Sequence, residues 1–327
     1  MNPILVTGAN SLLGAHVINE LIGQGYPVRG LVRENRTMPF ADPLLEIRHG
    51  DFTSADTLSE ALRGCSAVIH VAADTRQDRY GPKAYAAVNV KGTQTLIAMA
   101  EKYHLQRIIL VGTANAFGYG TRDNPATEVH PFCIPFSRSG YAHSKWEAQQ
   151  WALGRPAIAG RKLIIVNPTF LIGRFDAKPS SGRIILRGYK RRFVVIPPGG
   201  KNFIPAVDAA KAIVAALFRG RDHECYLLGG ENLTYREFYR QLCEITGQQS
   251  RFLILPRPLL LLAGLIGTLL AHCGVPTALR YNNMRILCLR TYYDNKKAVE
   301  HLGLPRTPLK QAMSEAISWF KEAGMLT

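Results

Sequence analysis

Tyr141 and Lys145 stand four residues apart in the segment YAHSK at 141–145. On a helix that spacing puts both side chains on one face. A phenol near its ordinary pKa of about 10 is a poor base at neutral pH, and a neighbouring ammonium favours the phenolate. The pair is therefore suited to moving a proton. The spacing itself is common and recurs at Tyr292/Lys296 and Tyr293/Lys297. Position separates the three: only Tyr141 is expected on a helix between a fifth and a sixth strand, after the strand end VGTANAFG at 111–118, whereas Tyr292 and Tyr293 are assigned to an outer lobe without a catalytic role. A second chemical signature is TGANSLLG at 7–14. An apolar strand runs into it and a helical pattern runs out, so Gly8 would permit a tight turn, Gly14 a close helix-to-sheet contact, and the helix N-terminus would face a pyrophosphate.

The elements that must carry these residues are legible from periodicity. Apolar runs at 4–6, 28–32, 45–47, 67–72, 108–111, 163–166 and 226–228 read as strands, with amphipathic segments at 12–22, 55–62, 84–103, 141–153 and 207–218 between them. That alternation predicts an α/β fold with a doubly wound parallel sheet covered on both faces. After Gly230 the strand rhythm stops and helical patterns at 235–246, 258–272 and 309–323 take over. The expected division is a dinucleotide-binding domain over 1–173, to which 206–229 returns, and a smaller, mainly helical C-terminal substrate lobe from 174–205 and 230–327.

Composition bounds the rest. With 327 residues, 47% hydrophobic and 20% charged, the chain can bury a large core and is neither disordered nor a disulfide scaffold. The six cysteines are scattered, without metal-ligand spacing, so free thiols and no metal are expected. The first apolar run starts too near the initiator for a signal sequence, which points to the cytoplasm. A net charge of +16 admits an anionic small ligand, an anionic membrane surface or nucleic acid, or a merely arginine-rich surface; nucleic acid is not among the expected partners. The run Leu259–Ala271 is too short to span a bilayer. It reads as buried in the lobe, lining an apolar cleft, or making peripheral membrane contact.

The motifs Thr7-Gly8-Ala9, Gly14, HVAA at 70–73, NVKGT at 89–93 and YAHSK at 141–145 together resemble the extended short-chain dehydrogenase/reductase superfamily over nearly the whole chain. The resemblance implies a Rossmann-type sheet and an oxidoreductase. It also implies a catalytic set in which Thr113 bonds the substrate oxygen, Tyr141 exchanges the proton, and Lys145 lowers the tyrosine pKa and holds the nicotinamide ribose. Cofactor contacts are implied at Thr7, Gly8, Asn10, Ser11, Leu12, Leu13 and Gly14, at Val71, Ala72 and Ala73, and at Asn89, Val111, Tyr141 and Lys145. Asn167, Pro168, Thr169 and Phe170 are implied beside the carboxamide. Ser11 replaces a second glycine of the family; it caps the helix, with or without a further bond to phosphate. The second strand ends in Val32-Arg33 instead of the acid of NAD-selective members, so Arg33 and Arg36 would meet a 2′-phosphate and the cofactor expected is NADP rather than NAD. The plainer reading of that pair is two solvated arginines. Asp51 and Phe52 resemble an adenine contact, Asp51 alternatively only ending a strand.

The segments at 173–184 and 227–238 are most similar to the bacterial dihydroflavonol-4-reductase-like and hopanoid-associated epimerase-like branch, which shares features with 3β-hydroxysteroid dehydrogenases. Pro205 stands where many relatives have a histidine, with Asp208 kept. An NADP(H)-dependent reductase of a fairly apolar small molecule is the preferred reading. A nucleotide-sugar epimerase or dehydratase with bound NAD, using the acid-free basic stretch 177–207, is the second; a non-catalytic NADP-binding regulator is the third. Family members often pair through the helix at 141–153, which makes a homodimer an expectation too.

Overall fold

The computed structural model describes residues 1–76, 83–275 and 277–326. Seven strands form one parallel sheet: β1 (Ile4–Thr7), β2 (Val28–Val32), β3 (Leu45–His49), β4 (Ala67–His70), β5 (Arg107–Val111), β6 (Lys162–Pro168) and β10 (Cys225–Leu228), in the order β10-β6-β5-β4-β1-β2-β3. The reversal beside β1 is a topological switch point, and all strand C-termini share one edge, where α/β sheets bind ligands. β1 shows why both faces must be covered. Ile4 and Val6 enter one core cluster and Leu5 the other. On the first face pack α1 (Leu12–Gly23) and α7 (Ala206–Arg219); on the second pack α2 (Ala55–Leu62), α4 (Gly92–Lys102) and α5 (Gly140–Leu153). The predicted helix over 84–103 is divided: α3 (Lys83–Tyr85) leads through a π-helical stretch, Ala86–Lys91, into α4. Such bulges recur at functional sites.

The second lobe is built from α6 (Arg183–Gly188), α8 (Tyr235–Thr246), α9 (Arg257–His272), α10 (Tyr281–Leu287) and α12 (Leu309–Glu322). It is less helical than the periodicity suggested. β7 (Phe170–Ile172), β9 (Gly200–Pro205), β11 (Glu231–Thr234) and β13 (Arg290–Thr291) make a small sheet, and β8 (Phe193–Ile196) pairs with β12 (Arg251–Ile254). These strands are two to six residues long, too short to leave a periodic signature. Phe203, Phe238, Met313 and Phe320 fill the lobe's own core. Residues 296–302, assigned by the sequence to this lobe without a helix, form α11 (Lys296–Leu302) and bury Ala298 and Leu302 in the core beneath the large sheet. Tyr292 and Tyr293 are not in the outer lobe either. Both are buried and bridge back to Gly120 and Ala126, sealing the seam between the two units.

The largest departure is α9. Burial inside the lobe would be the ordinary fate of so apolar a helix, yet Leu259, Leu262, Leu265, Ile266, Leu269 and Leu270 are all exposed. The inward face is made of Leu260, Gly264 and Gly267. A Cβ at Gly267 would lie 1.6 Å from the Leu279 carbonyl oxygen, and one at Gly264 would lie 2.8 Å from Tyr281 Cα. Close backbone packing, open only to glycine, therefore orients the helix and turns its leucines outward.

Candidate active site

β1 enters the first turn at Gly8, whose φ of 66° favours glycine. A Cβ there would meet Ala72 Cα and N at 2.8 Å; one at Gly14 would meet the Gly8 oxygen at 2.2 Å. The turn and the start of α1 are thus held tightly against the end of β4. Ser11 is the N-cap of α1, its hydroxyl accepting from Gly14 N at 3.1 Å, and no acid lies in the first turn. The helix start remains favourable to an anion. Thr7 Oγ1 bonds His70 Nδ1 at 2.7 Å and accepts from Ala72 N at 3.2 Å, and His70 Nε2 bonds Thr93 Oγ1 at 3.2 Å. Burial, helped by the Lys145 charge, drives the His70 pKa down to about 3. His70 is thus a neutral strut tying the turn to α4. Leu12 and Leu13 are buried under the turn, while Asn10 reaches the Thr37 carbonyl at 3.4 Å.

Across the sheet edge, β5 ends at Val111 and delivers Thr113; α5 delivers Tyr141 and Lys145. The Tyr141 phenol hydrogen-bonds Thr113, and the Lys145 ammonium donates to the Val111 carbonyl at 2.5 Å. The three expected catalytic residues are therefore gathered in one place. Their electrostatics differ from expectation. Burial pushes the Tyr141 phenol up to about 12 against the bond from Thr113, with the Tyr85 phenol adding to the rise, and burial brings Lys145 down to about 8. Desolvation of the buried phenol therefore outweighs the stabilising contact from Thr113.

Three residues outside the catalytic set position it. Asn89, at the π-helical stretch, accepts from Asp74 N at 2.7 Å and donates to Ser144 Oγ at 3.0 Å; Ser144 Oγ in turn donates to the Tyr141 carbonyl at 2.8 Å. The Tyr85 ring meets the Tyr141 ring edge-on, with centroids 6.5 Å apart. Ser144 sits within YAHSK itself, whereas Tyr85 has no signal short of the fold. Asn167, expected beside the carboxamide, turns its side chain inward. Its Nδ2 donates to the Thr113 carbonyl at 3.1 Å and to Gln149 Oε1 at 2.8 Å, and a Cβ on Gly112 would lie 2.3 Å from that nitrogen. It holds the Thr113 segment on α5. Pro168 ends β6; Thr169 Oγ1 donates to Asn202 Oδ1 at 2.7 Å. Phe170 lies 5.4 Å from the Lys201 ammonium, which burial lowers to about 8.

The family model described as NAD dependent epimerase/dehydratase family matches residues 4–229. The chain belongs to this family. Over 98% of its length it is 32% identical to the Putative dihydroflavonol 4-reductase of Synechocystis sp., covering 94% of that protein. It is 28% identical to sterol demethylase protein B of Methylococcus capsulatus, covering 98% of this chain and 99% of that one. The solved structure of gox2253 superposes with a TM-score of 0.86 at 29% identity, each chain covered completely. Relatives bear the names of reductases and dehydrogenases.

The sequence places a 2′-phosphate contact at the C-terminus of β2 (Val28–Val32). Arg33 and Arg36 are exposed there, and both act with desolvation to lower the pKa of Lys178. The charges of two separate parts of the chain therefore act on one another at this surface. Within the basic stretch 177–207, the Arg183 charge acts on the Asp176 carboxyl and Arg192 lies over the Phe193 ring at 5.6 Å. Asp51 Oδ1 accepts from Thr53 N and Oγ1, both at 2.9 Å, closing a turn after β3. Phe52 packs on His70 with centroids 5.0 Å apart. Val71, Ala72 and Ala73 are half-buried along the same edge. Asp208 binds Thr307 N and Oγ1 at 2.8 and 2.7 Å, a structural strap.

Proposed function

We propose that the protein is an NADP(H)-dependent reductase or dehydrogenase that interconverts the carbonyl and alcohol of a fairly apolar small molecule. The observation that carries the cofactor choice is the pair Arg33 and Arg36, exposed at the end of β2, where Val32 stands at the position of the ribose-binding acid, with the Lys178 charge acting on the same surface. Guanidinium forks bind phosphate with charge-assisted, bidentate bonds. The start of α1, capped by Ser11 and without an acid in its first turn, offers its backbone N–H groups to a pyrophosphate. When bound, the dinucleotide supplies the hydride. Thr113 and Tyr141 offer hydroxyls to the substrate oxygen, and Tyr141 Oη gives that oxygen a proton on reduction. Lys145 presents a cation beside them for the nicotinamide ribose. The apolar substrate class is supported by a full-length relative named for a sterol.

NADPH is expected to bind at least tenfold more tightly than NADH, which needs only about 1.4 kcal/mol. Fluorescence titration checks this, and Arg33→Ala should erase most of the difference. Equal affinities, or tighter NADH, would remove the cofactor assignment. Turnover of UDP-sugars without turnover of apolar ketones would replace the reductase with an epimerase.

A further inference from the structure

Eleven of the twenty exposed large hydrophobic side chains among the described residues lie between Leu253 and Tyr281. Six of them, on α9, are each 46 to 68% exposed. At about 100° per residue they cover roughly 140° of the helix circumference. Soluble proteins rarely leave such a continuous apolar stripe open to water. It continues past the N-terminus of α9 into the β8–β12 pair, where Phe193, Val195 and Leu253 are also exposed and Leu253 is register partner to Val195.

We propose that this face, centred on α9, docks on an anionic lipid bilayer, with the helix lying in the interface. The charge pattern selects this occupant. Residues 245–293 hold five arginines, at 251, 257, 280, 285 and 290, and no Asp or Glu. Lys190, Arg191 and Arg192 precede β8. Leucines flanked by arginines match a surface of acyl chains beneath phosphate headgroups. A second copy of the chain on the same patch would set arginines against arginines in a two-fold contact. No helix among the described residues is long and apolar enough to cross a membrane, so α9 lies on the bilayer rather than through it.

Docking would also bear on the active site. The Asn282 amide of α10 donates to the Pro135 carbonyl at 3.0 Å, and the chain runs from there to Ser139, the N-cap of the helix that carries Tyr141 and Lys145. The lipid-facing pair α9–α10 is thus joined to the segment that enters the catalytic helix. This inference is independent of which cofactor or substrate the site takes.

Co-sedimentation of the full chain with vesicles of phosphatidylglycerol and phosphatidylcholine, against phosphatidylcholine alone, tests it. Wild type should partition at least tenfold more strongly onto the anionic vesicles, and the preference should shrink in high salt. Leu262→Glu with Ile266→Glu should cut binding at least tenfold while leaving the thermal unfolding midpoint unchanged, because both positions are half exposed. Should that variant misfold, Leu265→Trp provides the second reading: its emission should shift to the blue on anionic vesicles. Wild type left in the supernatant, a double variant that binds as wild type does, or a tryptophan unmoved by vesicles would overturn the proposal. A wild-type dimer that the double variant splits, without vesicle binding by either, would assign the face to a second copy instead.

Discussion

Tyr141 carries the chemistry at one atom. Tyr141→Phe is expected to abolish turnover while leaving dinucleotide affinity nearly unchanged, as measured by steady-state kinetics beside a binding titration. A phenol held up to about 12 stays protonated at neutral pH, ready to act as the acid of carbonyl reduction. In the reverse direction its base form grows about tenfold per pH unit. Alcohol oxidation should therefore rise with pH until about 8, where Lys145 starts to lose its proton, and then level off or fall. A pH profile of kcat/KM that is flat between 6 and 8 would contradict this ordering of the two groups. The decoy changes Tyr292→Phe and Tyr293→Phe should leave the chemical step intact, since both rings belong to the seam.

At the scale of elements, the site depends on how closely α1 approaches the turn before it. Gly14→Ala places a methyl 2.2 Å from the Gly8 oxygen, so the helix must move outward, and dinucleotide affinity should fall more than tenfold by titration. Two buried histidines tie element stability to acidity. His16 on α1 is lowered to about 4 chiefly by burial, and His70 on β4 to about 3. In the unfolded chain such rings take up protons near pH 6.5, whereas in the folded chain they stay neutral until far lower pH. The unfolded state thus binds more protons in that window, and stability falls as the pH drops from about 6.5 towards 4. His16 alone accounts for about 3 kcal/mol of this loss. Thermal midpoints from pH 4 to 7 should show it, with a shallower acid limb in His16→Gln.

For the whole molecule, the cations proposed to meet the 2′-phosphate come from separate segments: Arg33 and Arg36 follow β2, while Lys178 belongs to the insertion before α6. A ligand that spans them should stabilise the folded chain by mass action. At one hundred times its Kd, NADPH adds about 2.7 kcal/mol, and NADH at the same concentration should add only about half of that if it binds tenfold more weakly. Lys178→Ala should narrow the gap in thermal shift without touching Tyr141. Equal shifts for both nucleotides, in wild type and variant alike, would show that the cluster is not used.

The large sheet, the glycine turn and the Tyr141/Lys145 pair are local in origin. A four-residue helix spacing, a strand running into Gly8 and alternating apolar runs each impose their geometry within a few residues, so the linear chain already carries them. Four features depend on contacts between distant segments. Asn167 turns inward because Gly112 leaves room and Gln149 stands opposite. Lys178 reaches Arg33 only after the insertion folds back. Tyr292 and Tyr293 enter the seam because Gly120 and Ala126 pair with them. Most telling is α9, whose apolar residues lie on nearly every side and so name no inward face. The choice falls to Gly264, which lets α10 approach closely, and Gly267, which admits the Leu279 backbone before it, and the leucines are left to face outward. Which face of such a helix meets the protein is a question of steric fit to a partner element, and hydrophobicity along the chain carries no information about it.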